Sequence, residues 1–199
     1  MKIFSKSRLR KQKEYQKNAE TGATVTNAYL DTLREIRIMA NLGDGSNSII
    51  KLHEVIDSEK DDKLILIIDY AKFGDIMTWS TEHQQFETCL DNKKYFNETD
   101  IQRIMRDCII GLDYLHENGV VHRDIKPLNI MLDEFGKAKF ADFGASAIIT
   151  DRPEGDNFQD TKGTYFFLAP ECCDPNIKTY SGKKADIWAL GVTCYALTY

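Results

Sequence analysis

The sequence predicts an α+β fold, and three observations predict it. In the first third, apolar runs at 49–56 and 64–68 flank a polar turn and follow a helical pattern over 26–42. Further on, apolar residues recur at helical spacing between Asn97 and Gly119. Two short apolar runs then bracket the turn-like Asp133-Glu134-Phe135-Gly136, the signature of a hairpin rather than a crossover. A chain of 199 residues is long enough for one large domain or two small lobes.

The elements follow in order. Met1-Lys2-Ile3-Phe4 reads as a short strand, and the basic run after it (Lys6, Arg8, Arg10, Lys11, Lys13, Lys17) as a solvated loop or helix face. From Thr26 to Leu42 a helix is expected with Leu30, Leu33, Ile36 or Arg37, and Ala40 on its apolar side; Gly43 stops it. Ile49–Ile56 and Leu64–Ile68 read as strands joined by 57–63. Residues 78–98 are polar and read as a surface connection. Asn97, with Asp100 three residues on, caps a helix whose stripe is Ile101, Ile104, Met105, Cys108, Leu112 and Leu115. Near the end, the helix around Ile187-Trp188-Ala189-Leu190 is apolar on nearly all sides, so its burial by further helices is expected.

Composition narrows the function classes. With 42% hydrophobic and 29% charged residues the chain is not mainly disordered. A net charge of −5 argues against general nucleic-acid binding. Cys89, Cys108, Cys172, Cys173 and Cys194 form neither a CxxC pair nor a zinc spacing, so a reducing, cytoplasmic setting is expected, the basic run leaving the nucleus open. No signal-peptide core opens the chain and Ile187–Tyr199 is too short to span a bilayer, so neither membrane nor nucleic-acid partners are expected.

One stretch carries chemistry: His122-Arg123-Asp124-Ile125-Lys126-Pro127-Leu128-Asn129, followed thirteen residues after Asn129 by Asp142-Phe143-Gly144. Moving a phosphoryl group to a hydroxyl requires a carboxylate to take the proton, a cation beside the moving group and oxygen ligands for a metal. Asp124, Lys126, Asn129 and Asp142 are those groups in the order and spacing of HRDxKxxN and DFG. The chain resembles the eukaryotic-type protein kinases.

The resemblance implies a bilobal kinase fold, with 1–68 as a small lobe, 69–75 as hinge and 76–199 as a large lobe, and ATP and Mg²⁺ as cofactors. It implies Lys2 on the α- and β-phosphates with Glu35 as its partner, across an insertion formed by the basic segment. Ile68 would lie behind the adenine, the Asp69 and Ala71 backbone would bond it, Asp75 would reach the ribose, and Met131 would lie beneath the ring. Gly163-Thr164 and Ala169-Pro170-Glu171, with Lys126, resemble Ser/Thr kinases, so Thr164 would steady Asp124 and a protein Ser/Thr hydroxyl would be the acceptor. Asp160 is expected to supply a permanent anion to Arg123, Thr161 to be an optional phosphosite, and Asp186 to cap the catalytic loop.

Within the kinases, MKIFSKSRLRKQ, SIIKLHEVID and SGKKADIWALGVTCYALTY resemble the calcium/calmodulin-dependent protein kinase kinase group, which implies an upstream or calmodulin-type regulator. No G-x-G-x-x-G occurs, so the fold is expected to be partial, lacking the first two strands and the last helices. A truncated, non-catalytic kinase-like module stays open as the alternative.

Overall fold

The computed structural model describes all residues except 19–21, 83–84 and 91–94. Strand β1 (Lys2–Ser5) leads into helix α1 (Lys6–Lys11), the hairpin β2 (Lys13–Asn18) and β3 (Gly22–Asn27), and helix α2 (Ala28–Leu42). Strands β4 (Leu52–Asp57) and β5 (Lys63–Ile68) complete an antiparallel sheet in the order β1-β5-β4. Lys2 of β1 sits opposite Leu66 of β5.

After β5 come β6 (Gly74–Asp75), the hairpin β7 (Met77–Ser80) and β8 (Gln85–Thr88), and helix α3 (Glu98–Glu117). Strand β9 (Val120–Val121) opens the loop that holds Asp124, and β10 (Ile130–Leu132) and β11 (Ala138–Phe140) make a sheet with β6 in the order β11-β10-β6. Residues 145–169, which the kinase resemblance makes the activation segment, carry β12 (Ala147–Ile148), paired with β9, and β13 (Asn157–Phe158). Helix α4 (Pro170–Cys173), strand β14 (Tyr180–Ser181), which pairs with β13, and helix α5 (Gly182–Thr198) end the chain.

Local rules explain the helix ends. Asn97 accepts the Asp100 N–H at 2.8 Å, Asn27 the Leu30 N–H at 3.0 Å, and Ser181 the Lys184 N–H at 3.2 Å, each satisfying a donor the helix leaves open. One apolar core runs through the molecule. It joins Ile38, Met39 and Leu42 of α2 to Ile104, Cys108, Leu112 and Leu115 of α3, with Phe140 and Phe143 between them. Burial of such side chains at about 25 cal/mol per Å² is the main force that fixes the parts around the site. A smaller core of Val121, Phe158, Ala169, Cys172 and Tyr180 fastens the activation segment.

Three expectations are corrected. The buried face of α2 is Thr32, Glu35, Ile38, Met39 and Leu42, while Leu30 and Leu33 are exposed. Apolar residues lie all round this helix, and the neighbours of Ile38 and Met39 in the core, not the longest apolar stripe, set its phase. The basic segment is not simply solvated: Lys6 is buried, donating to Asp57 at 2.8 Å and to the Ser58 carbonyl at 2.7 Å. The connection over 78–98 contains the β7–β8 hairpin, in which Trp79 pairs with Phe86.

Candidate active site

A buried carboxylate hangs the central loop. Asp186, at the start of α5 and 1% exposed, accepts the N–H of His122 at 2.8 Å and of Arg123 at 2.7 Å. Its Oδ2 also takes the Nε2–H of His116 at 3.0 Å. These bonds hold Arg123 in the left-handed region at φ 67°, which a non-glycine residue adopts only when its surroundings impose it. The twist fixes the direction in which the chain enters the next residue, Asp124.

Around Asp124 the polar groups close on one another. Lys126 Nζ donates to Asp124 Oδ2 at 2.7 Å and to Thr164 Oγ1 at 2.7 Å, and that hydroxyl donates to Asp124 Oδ1 at 2.8 Å. Asn129, almost fully buried, donates through Nδ2 to the Asp124 carbonyl at 2.8 Å and to Oδ2 at 2.9 Å. Thr164 is placed by Gly163 at φ 111°, where a Cβ would stand 2.5 Å from the Arg123 carbonyl. Only glycine fits there.

The hairpin β10–β11 delivers Asp142. Its backbone is also left-handed, at φ 60°, its side chain is exposed, and Oδ1 accepts the Gly144 N–H at 3.2 Å. Phe143 beside it is fully buried against His122, ring centroids 5.3 Å apart. His122 donates from Nε2 to the Ala141 carbonyl at 3.1 Å and accepts the Asp124 N–H on Nδ1 at 3.4 Å, linking both loops through one ring. Among the described residues no donor reaches Asn129 Oδ1. That amide oxygen and the Asp142 carboxylate are oxygen donors of the hard type that Mg²⁺ prefers. Asp75, whose neighbour across the sheet is Met131, has its carboxyl pushed above the usual range by burial and then by the charge of Asp142.

In the small lobe Lys2 Nζ lies 3.4 Å from Glu35 Oε1, across 33 residues of sequence. Glu35 itself is buried. Ile68 packs half-buried on the core with Ala71 and Met131. The Asp69 N–H is committed to the Lys51 carbonyl at 3.0 Å. The Asp69 side chain turns away and takes Lys139 Nζ at 2.9 Å and His53 Nε2 at 2.8 Å. No described acceptor takes the Ala71 N–H.

Arg123 reaches the activation segment. Its Nη2 donates to Asp160 Oδ1 at 2.8 Å, to the Asp160 carbonyl at 3.0 Å and to Tyr180 Oη at 3.2 Å. Thr161 is exposed and its hydroxyl donates to the Cys172 carbonyl at 3.0 Å. Close by, burial lowers the Lys162 ammonium, helped by the charges of Arg34 and Arg123 and opposed by Asp160 and Asp31. Sequence reading missed His116, Tyr180, Lys139 and Phe158. His116, Tyr180 and Lys139 each act through a partner 57 to 70 residues away, and no local spacing marks them.

A family model described as the protein kinase domain matches residues 3–199. The chain belongs to the protein kinase family. It is 35% identical over 199 residues to a probable serine/threonine-protein kinase of Dictyostelium discoideum, covering 100% of this chain and 25% of that one. It is 35% identical over 170 residues to the serine/threonine-protein kinase GRIK2 of Arabidopsis thaliana, 85% of this chain and 38% of that one. With a calcium/calmodulin-dependent protein kinase kinase of Caenorhabditis elegans it shares 34% over 201 residues, 98% of this chain and 34% of that one. The chain thus spans between 25% and 38% of the length of these relatives.

Proposed function

We propose that the protein is a serine/threonine kinase that transfers the γ-phosphoryl of ATP to a hydroxyl of a protein substrate. The observation that carries this reading is the closed triangle of Asp124, Lys126 and Thr164, with every edge between 2.7 and 2.8 Å. It holds a carboxylate, a cation and a hydroxyl in the arrangement that positions an acceptor and steadies a moving phosphoryl group.

Each residue has a distinct part. Asp124 accepts the proton of the substrate hydroxyl. Lys126 stays beside that carboxylate as the fixed positive charge facing the transferred group. Thr164 ties the substrate-facing segment to both. Asn129 Oδ1 and Asp142 would hold Mg²⁺, which when bound neutralises polyphosphate charge. Lys2, oriented by Glu35, would contact the α- and β-phosphates. The Ala71 N–H and the Asp69 carbonyl would bond adenine between Ile68 and Met131, and Asp75 would meet the ribose. The unpaired Ala71 N–H and the packed Ile68 and Met131 support that placement.

Within the serine/threonine kinases, the 34% identity to the nematode calcium/calmodulin-dependent protein kinase kinase supports a place near that group and a calmodulin-type or other upstream regulator. Asp160 would serve as a resident anion for Arg123, leaving Thr161 as an accessory phosphosite. The residue ranges 1–68, 69–75 and 76–199 would form small lobe, hinge and large lobe, in a cytoplasmic protein.

The test is Mg-ATP-dependent phosphate incorporation into a protein substrate by the whole protein and by its Asp142→Asn variant. The expected result is transfer by the first and none by the second. Undiminished transfer by Asp142→Asn would remove the metal assignment, and no transfer by either would overturn the reading.

A further inference from the structure

Two buried guanidinium nitrogens, Arg123 Nε and Arg152 Nε, find no hydrogen-bond partner among the described residues. An orphaned cationic donor in a dry site is costly unless something else receives it. Both arginines lie over one ring. Arg123 Cζ is 4.2 Å from the centroid of Phe158 and Arg152 Cζ is 3.9 Å from it. At such distances the negative face of an aromatic ring attracts a cation, and more strongly where water is excluded. Phe158 is fully buried.

The rest of the contact set is directional. Arg152 Nη2 donates to the Asn157 carbonyl at 2.9 Å, next to the ring it stacks on. Phe158 pairs in register with Tyr180, their rings stacked with centroids 6.0 Å apart. The Tyr180 hydroxyl accepts from Arg123 and donates to the Asp160 carbonyl at 2.7 Å. Arg123 is therefore gripped by the ring, by a carboxylate and by a phenol, all within the activation segment or the strand paired with it. Its backbone sits at φ 67° one residue before Asp124, so a shift of its side chain is felt at the proton-accepting carboxylate.

We propose that Phe158 and Arg152 are positioning residues for phosphoryl transfer: they form a cation–π clamp that the activation segment supplies to Arg123, and through Arg123 they set Asp124. This rests on the kinase reading above. The clamp explains why two guanidiniums share one buried ring, and it holds Arg123 without a phosphate on the segment.

The experiment compares the whole protein with its Phe158→Leu, Phe158→Tyr and Arg152→Gln variants, reading both steady-state kinetics and the arginine Nε–H NMR spectrum. In the wild type the Nε–H signals of Arg123 and Arg152 are expected upfield, displaced by the ring. Phe158→Leu keeps apolar bulk but removes the ring face. It should return both signals to ordinary positions and lower kcat by about tenfold with the KM for ATP nearly unchanged, whereas Phe158→Tyr should restore both readouts. Should Phe158→Leu fail to fold, Arg152→Gln serves instead, moving the Arg123 signal and lowering kcat in the same direction. Wild-type transfer accompanied by unmoved Nε–H signals and an unchanged kcat in these variants overturns the clamp alone. A wild type that transfers no phosphate overturns the kinase reading, and with it any catalytic part for the clamp.

Discussion

Thr164 donates its hydroxyl to Asp124 Oδ1 across 2.8 Å, joining the activation segment to a carboxylate 40 residues earlier in the chain. Thr164 Oγ1 also accepts from Lys126 Nζ, so one hydroxyl sets two charged groups. Thr164→Val keeps the shape and removes the link. Losing a hydrogen bond to a charged group worth roughly 1.5 kcal/mol should cut kcat about tenfold, with little change in the KM for ATP. Steady-state kinetics at saturating protein substrate would show it; a wild-type kcat would mean that the triangle has no part in turnover.

Asp160 holds Arg123 by a charge-assisted bond of 2.8 Å with the arginine side chain 5% exposed. A fixed carboxylate in this place should leave most of the activity intact after phosphatase treatment, whatever a phosphate on Thr161 adds. Asp160→Asn keeps the size but drops the charge, and should lower kcat about fivefold. Full activity in that variant would reduce Asp160 to an ordinary loop aspartate.

Asp186 satisfies two backbone donors and a histidine from a site with almost no access to water. Asp186→Ala leaves those donors buried and unpaired, which should cost about 3 kcal/mol of folding stability. Urea denaturation measures this directly, and a loss below about 1 kcal/mol would show that water replaces the carboxylate.

Asp69 gives a pH signature. Burial alone would raise its carboxyl, but the bonds from Lys139 and His53 outweigh this and bring it below its ordinary value of 3.8. A folded-state value below the unfolded one means the stabilisation is present above 3.8 and is lost as pH falls through the lower folded value. The stability gap between wild type and Asp69→Asn should therefore be largest near neutral pH and shrink in acid below about pH 4. Urea midpoints across that range decide it, since a gap that stays constant would dissociate Asp69 from the effect.

Much of the fold is legible because its signals are local. The stripe of Ile104, Cys108, Leu112 and Leu115 is buried at helical spacing, and Asn97 caps the helix that bears it. Reading α2 fails in phase because Leu30 and Leu33 suggest an apolar face that the molecule exposes, while Glu35 turns inward toward Lys2. The β7–β8 hairpin escapes notice because Thr78, Glu87 and Gln85 do not alternate as a half-buried strand would. In the site, the HRDIKPLN and DFG stretches name their own groups. The supporting contacts do not: Lys139 and Asp69 are 70 residues apart and Arg123 and Tyr180 are 57 apart. Nothing in the spacing of either pair marks it, since the fold alone brings them together.

Gly163 has a genetic corollary. Its φ of 111° and the 2.5 Å approach that a Cβ would make to the Arg123 carbonyl leave no room for any other residue. A missense change there would strike the join between substrate-facing segment and catalytic loop while sparing the Lys2–Glu35 pair and the large core. On the proposed kinase reading, such an allele should yield a protein that still folds and still takes up nucleotide yet hands nothing on, a separation of binding from transfer that a nucleotide-binding assay beside a transfer assay would read.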